Sequence, residues 1–300
     1  MIQERLKALR AEMEKRGITV YVVPTADFHE SEYVGDHFKA RKFITGFTGS
    51  AGTAVITLDE AGLWTDGRYF VQAENQLKDS TVTLYRMGEE GVPTVDEFVK
   101  DRLKEGGCLG FDGRVVNGTW GGRLEKIAAE KNVSMHVTED LIDLIWEDRP
   151  ALSKQPLFIL EEKYSGKSTA DKIADLRKAM KENGADVHIL TSLYDIAWLL
   201  NIRGNDIDYV PVVLSYLVLN ETECIWFLQE EVVDDKIRAY LEENHITTKP
   251  YDAIYDYVPE IPADAVVLMN RGTVNYRIVN SLDKAIKVVD KPNPTELMKA

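Results

Sequence analysis

Apolar positions change period early in the chain. Ile2, Leu6, Leu9 and Met13 recur at helical spacing through residue 16, Gly17 supplies a stop, and Val20–Val23 runs apolar until Pro24. That pattern predicts an amphipathic helix leading into a short buried strand. The alternation continues. Strands are predicted over Thr53–Leu58 and Leu63–Thr65 around the Asp59–Gly62 turn, and over Val82–Tyr85, Cys108–Phe111 and Met135–Val137. Helices are predicted over Tyr69–Leu77, Val95–Leu103 and Arg123–Lys131.

The periodicity lapses between Trp146 and Leu157, where EDRPALSKQP combines two prolines with several charges and reads as a linker. The pattern then starts again. Ser168 is placed to cap a helix whose stripe is Ile173, Leu176 and Met180 and whose stop is Gly184. LRAEMEKRGITVYVV at 9–23 and LRKAMKENGADVHIL at 176–190 share Leu, Arg, Met, Gly and Val at a constant offset of 167. Two related α/β domains in tandem are the expectation. The second copy is expected to continue with a helix at Asp195–Leu200 and strands at Val212–Leu219, Cys224–Leu228 and Ala265–Met269. A helix is expected at Asp234–Glu243, and Thr295–Ala300 starts another after Pro292 and Pro294.

Composition narrows the functional classes. With 50 acidic against 36 basic residues the net charge is −14, which argues against a phosphate backbone as partner. No run approaches the roughly 18 apolar residues of a membrane helix, and the N-terminus lacks the pattern of a secretory signal. Cys108 and Cys224 sit in apolar surroundings without basic neighbours and read as buried free thiols of a reducing, cytoplasmic compartment.

Candidate chemistry is sparse. Gly46, Gly49 and Gly52 have neither dinucleotide nor phosphate-loop spacing, so they read as turn and packing positions. Ser50 lies outside a nucleophile-elbow pattern. Of the five histidines, His29 and His37 flank acidic residues in a loop that reads as solvated, and His188 reads as a satisfied core residue. Arg68 differs. Asp66-Gly67 sets a tight corner before it, and an arginine fork there can grip a carboxylate or carbonyl. A structural ion pair is the competing reading. Arg203, in NIRGND, sits on a similar corner with the same two readings.

At these residues the chain resembles the creatinase/prolidase superfamily, in particular the three-domain cytosolic-type Xaa-Pro aminopeptidases. GFTGSAGTAVIT, LWTDGRYFVQA, DFHESEY and IWEDRP match the first domain, and DIAWLLNIRGNDIDYVPVVLSY the second. Thr45 and Val210 depart from the commoner Ser and Asn. The resemblance implies an α/β fold of two tandem creatinase N-terminal-like domains, each a central mixed sheet flanked by helices. It sets domain I at 1–150, domain II at 157–291, and the start of a C-terminal metallopeptidase domain at 292–300. In the family that last domain holds two metal ions, usually manganese, on an Asp, Asp, His, Glu, Glu set, and removes the first residue from peptides with proline second.

None of those ligands falls in this sequence, so the resemblance implies that this chain by itself is inactive, has no catalytic residue and binds no metal. Its expected partners are X-Pro peptides, its own C-terminal catalytic domain, and a second copy in a homodimer, with neither nucleic acid nor membrane among them. The family's DGRY arginine reaches toward the bound peptide, which carries over to Arg68 as substrate-binding, with Trp64 packed beneath its corner. His29 and Arg203 are further cleft-lining candidates. A stand-alone peptide- or protein-binding module is the alternative.

Overall fold

The N-terminal stripe becomes a helix. In the computed structural model, whose described residues are 1–299, α1 (Ile2–Lys15) buries Leu6, Leu9 and Met13 and ends before Gly17, whose φ of +67° suits glycine. The chain divides into two compact units. One comprises Met1–Phe28 and Asp36–Ala151, the other His29–Gly35 and the residues from Leu152 onward.

The first unit continues through β1 (Val20–Pro24), α2 (Ala40–Thr45), β2 (Thr53–Thr57), β3 (Ala61–Thr65), α3 (Phe70–Leu77), β4 (Thr83–Arg86), α4 (Val95–Arg102), β5 (Cys108–Phe111), α5 (Gly118–Glu130) and β6 (Ser134–His136). Its strands form one sheet in the order β4-β3-β2-β1-β5-β6. Only β2 runs against the others: it is antiparallel to β1 and β3, whereas the β1–β5, β3–β4 and β5–β6 pairs are parallel. Leu6, Leu9, Met13, Phe43, Ile56 and Leu77 belong to the core cluster on one face. Local chemistry sets the helix starts. Thr94 and Glu97 form a reciprocal capping box on α4, and Asn117 accepts the Trp120 N–H at 2.9 Å to open α5.

The second unit contains β7 (Phe158–Ile159), α6 (Glu162–Ser165), α7 (Thr169–Glu182), β8 (Val187–Leu190), α8 (Leu193–Leu200), β9 (Ile202–Arg203), β10 (Ser215–Asn220), β11 (Cys224–Leu228), α9 (Asp235–Glu243), β12 (Ile246–Pro250), α10 (Ile254–Tyr257), β13 (Val266–Met269), α11 (Tyr276–Ser281), β14 (Lys287–Asp290) and α12 (Pro294–Met298). Six strands form a sheet ordered β12-β11-β10-β8-β13-β14, and β7 pairs with β9 apart from it. Only β10 is reversed. Strand for strand this repeats the order and sense of the first sheet, so the repeat of helix, glycine stop and strand extends to the whole unit.

Some boundaries differ from the sequence pattern. Helix α5 begins five residues before Arg123 because Asn117 caps it ahead of Gly121 and Gly122. Strand β10 begins at Ser215 instead of Val212, because Leu214 N–H turns to the Asp206 carboxylate at 2.9 Å. Elements α2, β7, α6, β9, β12, α10, α11 and β14 were not expected. Residues 150–157 carry no regular structure, though Gln155 N–H donates to Asp206 Oδ1. The last residue of the expected terminal helix, Ala300, lies outside the described residues.

Candidate functional site

Five of the six strands in the first unit point the same way, so the turns after β1, β3 and β5 share one edge of the sheet. The carboxyl edge of such sheets is where ligands are commonly received. Arg68 stands there. Thr65, at the end of β3, is fully buried and donates its hydroxyl to Ala51 O at 2.7 Å. Asp66 Oδ1 then accepts the backbone N–H of Arg68 at 3.1 Å, and the guanidinium folds back on the same carboxylate through Nε at 2.8 Å and Nη2 at 2.9 Å. The pairing holds the Asp66 carboxyl down at about 2. The Arg68 side chain is still 69% exposed, and its Nη1 has no partner among the described residues. Its carbon lies 5.2 Å from the Tyr69 ring, whose hydroxyl meets Ser50 Oγ at 2.6 Å. Trp64 is fully buried in β3, stacked 4.1 Å from Tyr85, with its indole N–H on Pro93 O.

The same tripeptide recurs after β5. Asp112 Oδ1 accepts the Arg114 N–H at 2.9 Å, and Arg114 folds back on the Asp112 carboxylate through Nε and Nη2. Here the carboxylate is buried and the guanidinium lies 4.4 Å over Phe28. The repeated Asp-Gly-Arg was legible in the sequence as a second copy of the corner around Arg68.

The glycine-paced loop holds a cation that sequence reasoning missed. Arg41, only 3% exposed, donates to Thr25 Oγ1 at 2.9 Å, to Phe47 O at 2.5 Å, and to Gly49 O. With no carboxylate beside it, burial lowers its guanidinium to about 10. Gly49 must lack a side chain, because a Cβ would sit 2.2 Å from Phe47 Cζ. The loop is thus a carbonyl cradle for a buried arginine.

The solvated reading of the His29 loop is corrected at its start: Asp27, Phe28 and His29 are buried, while Glu30, Glu32 and Tyr33 are exposed. His29 belongs to the second unit. Its Nδ1 lies 3.1 Å from Thr191 O and must carry the proton, so Nε2, 2.6 Å from Tyr251 Oη, accepts from that hydroxyl. Tyr216 packs 4.5 Å from the ring. His188 is fully buried as expected, but only half satisfied. Its Nδ1 meets Leu268 O at 3.0 Å, while Nε2 has no partner among the described residues.

Arg203 is half-buried and serves the end of α8, donating to Ala197 O and, at 3.1 Å, to Ile202 O. Lys172, 1% exposed, donates to Trp198 O at 2.8 Å and Asn201 Oδ1 at 2.6 Å, and Tyr240 Oη donates to Leu200 O at 3.1 Å. Three side chains therefore satisfy carbonyls that the buried helix end leaves open. Near the start of α8, the buried Asp195 carboxylate receives Asn293 Nδ2 at 3.1 Å and Lys299 Nζ. Residues 293–299 thereby pack onto this unit, with Asn293 and Thr295 buried.

Among the described residues no three His, Cys, Asp or Glu side chains converge as a metal would need. The donor set of these units does not fit a two-metal centre. Both cysteines are free and buried, and burial pushes the Cys224 thiol up to about 12.

Comparison with known proteins accounts for the duplicated frame. The Creatinase/Prolidase N-terminal domain model matches residues 5–145, and a second model of that description matches residues 148–300. A "Probable Xaa-Pro aminopeptidase P" of Sordaria macrospora is 42% identical over 290 residues, covering 95% of this chain and 47% of the relative. "Aminopeptidase P2" of Arabidopsis thaliana is 35% identical over 291 residues, covering 95% and 41%. The crystal structure of an X-prolyl aminopeptidase from Caenorhabditis elegans, described as a cytosolic enzyme with a di-nuclear active site, superposes with a TM-score of 0.90. It is 30% identical, over 99% of this chain and 52% of its own. This chain spans about half the length of these relatives or less. It belongs to the creatinase/prolidase family, of which it carries two N-terminal domains in tandem.

Proposed function

We propose that these residues form the non-catalytic part of a Xaa-Pro aminopeptidase that acts in the cytoplasm, bordering the cleft that admits peptides with proline second. The division of labour follows the notional boundaries 1–150 and 157–291, with 292–300 leading to the metallopeptidase domain. The relatives' names and the di-nuclear site of the nematode enzyme support the reaction class. Two manganese ions would belong outside these residues, whose described donors do not converge. The units' own contribution is binding: they restrict access and present Arg68.

The observation that carries this reading is the exposed Arg68 fork. Asp66 fixes its direction through Nε and Nη2, and its Nη1 has no hydrogen-bond partner among the described residues. Such a donor suits a peptide carbonyl or carboxylate. His29 and Arg203 enter as supports of the wall, since each is tied to backbone carbonyls. In an intact enzyme built on these units, Arg68→Ala lowers kcat/KM by roughly ten- to a hundredfold without lowering Tm. Unchanged peptide kinetics overturn the role of Arg68. Hydrolysis of X-Pro peptides by the 300-residue chain with added Mn²⁺ overturns the non-catalytic reading.

A further inference from the structure

Among the described residues, five other than glycine have positive φ: Glu30, Asn132, Asn201, Tyr209 and His245. Asn132, Asn201 and His245 follow helices α5, α8 and α9, where a left-handed residue is routine. Glu30 is in the segment that begins at His29. Tyr209, at φ +64°, is the third residue of the tight Ile207–Val210 turn, where glycine or asparagine is the usual choice and a bulky ring is strained. Among the described large hydrophobic residues it is the most exposed, at 105%.

The loop that holds it is firmly built. Asp206, buried, binds Gln155 N–H and Leu214 N–H with its two carboxylate oxygens, at 3.1 and 2.9 Å. Its backbone N–H donates to Val212 O at 3.2 Å, and Ile207 beside it is buried and bridges to Val210. Gly204 has no room for a Cβ, which would meet Val213 Cγ2 at 2.9 Å. A pinned loop therefore holds an aromatic ring in water, in a backbone state that glycine or asparagine would adopt more easily. Strain kept in this way marks a contact residue more often than a packing one.

The surroundings of the ring narrow the partner. Asn205, Asp208 and Pro211 are exposed around it, so the ring stands alone among polar and small groups. A stable protein interface buries about 800 Å² per side around several apolar anchors, which this loop does not offer. A single ring suits a short extended ligand, and proline rings pack readily on aromatic faces.

We propose that Tyr209 is a peptide-contact residue that stacks on the pyrrolidine of a proline-bearing peptide. This rests on the proposed function and names a peptide-contact residue within the second unit. The test is binding of an X-Pro peptide to the 300-residue chain, followed by NMR titration, together with Tm. Tyr209→Gly and Tyr209→Asn relieve the backbone and raise Tm by roughly 2–4 °C, while weakening the peptide roughly three- to tenfold. Tyr209→Phe keeps the ring and restores affinity. If both replacements raise Tm and leave affinity unchanged in a chain that still binds the peptide, the Tyr209 contact is overturned and the proposed function stands. If the unaltered chain binds no X-Pro peptide, both fall. If Tyr209→Gly abolishes self-association instead, the ring is a protein contact and the peptide proposal is wrong.

Discussion

After β5 the chain reads Asp112-Gly113-Arg114 and enters α5 through the cap Asn117; after β13 it reads Asn270-Arg271-Gly272 and enters α11 through the cap Asn275. The turn is the same. Asp112 Oδ1 and Asn270 Oδ1 each accept the N–H two residues on, at 2.9 and 3.0 Å. The cation is not the same, since the arginine takes the third place in one unit and the second in the other. After β3 the first unit repeats the motif with Arg68, whereas after β11 the second has an acidic turn at Glu230–Val232. The comparison separates frame from function. A short carboxylate or amide side chain is enough to make the corner, so the corner explains Asp66. It does not explain an exposed guanidinium at its tip. The second unit instead closes its carboxyl edge with buried polar groups, among them His29 on Thr191 and Asp195 on Asn293 and Lys299.

The sharpest way to break this contrast is to remove residues 293–300. The Asp195 carboxylate then loses Asn293 and Lys299 as partners, and breaking a buried pair in this way costs about 3–5 kcal/mol. Hydrogen exchange should speed up across α7, α8 and β8 while α1, β1 and β5 keep their protection. Equal loss in both units would show that the edge closure is not local to the second.

A smaller effect lies at Lys172. Burial lowers its ammonium to about 8, against the ordinary 10.5 that it regains on unfolding. Between those values the unfolded chain holds more protons, so stability rises with pH through this window. From pH 7 to 9 the stability of the natural chain should gain on that of Lys172→Met, measured by urea unfolding. A flat difference removes Lys172 as a buried cation.

The mildest test compares equivalent caps. Asn117→Ala and Asn275→Ala should each cost about 1 kcal/mol in urea unfolding, since each side chain accepts a helix N–H. A cost near zero at either position would remove that asparagine as a cap.

The long amphipathic helices and the central strands were legible because their apolar period matches their burial. The elements that escaped are short or carry little pattern. In β12, ITTKP has one apolar residue, and β14, KVVD, has two between charges. Helix α2 contains Arg41, whose burial has no local signal because its partners Phe47 O and Gly49 O lie in the following loop. The corner at Arg68 was legible from Asp-Gly alone. The burial of His29 was not, since its partners Thr191, Tyr216 and Tyr251 stand far along the chain and no local spacing announces them. Tyr209 escaped for a similar reason: its backbone angle is set by Asp206 and Gly204 acting from beneath.

The outer strands have a consequence for behaviour at high concentration. Strands β4 and β6 are four and three residues long, β12 ends in Lys249 and Pro250, and β14 opens on Lys287 and closes on Asp290. A neighbouring copy seeking a ladder to extend would meet brevity, charge or a missing N–H at each border. Neither sheet offers a template for ordered stacking, so growth of fibrils from the native state is disfavoured at all four margins.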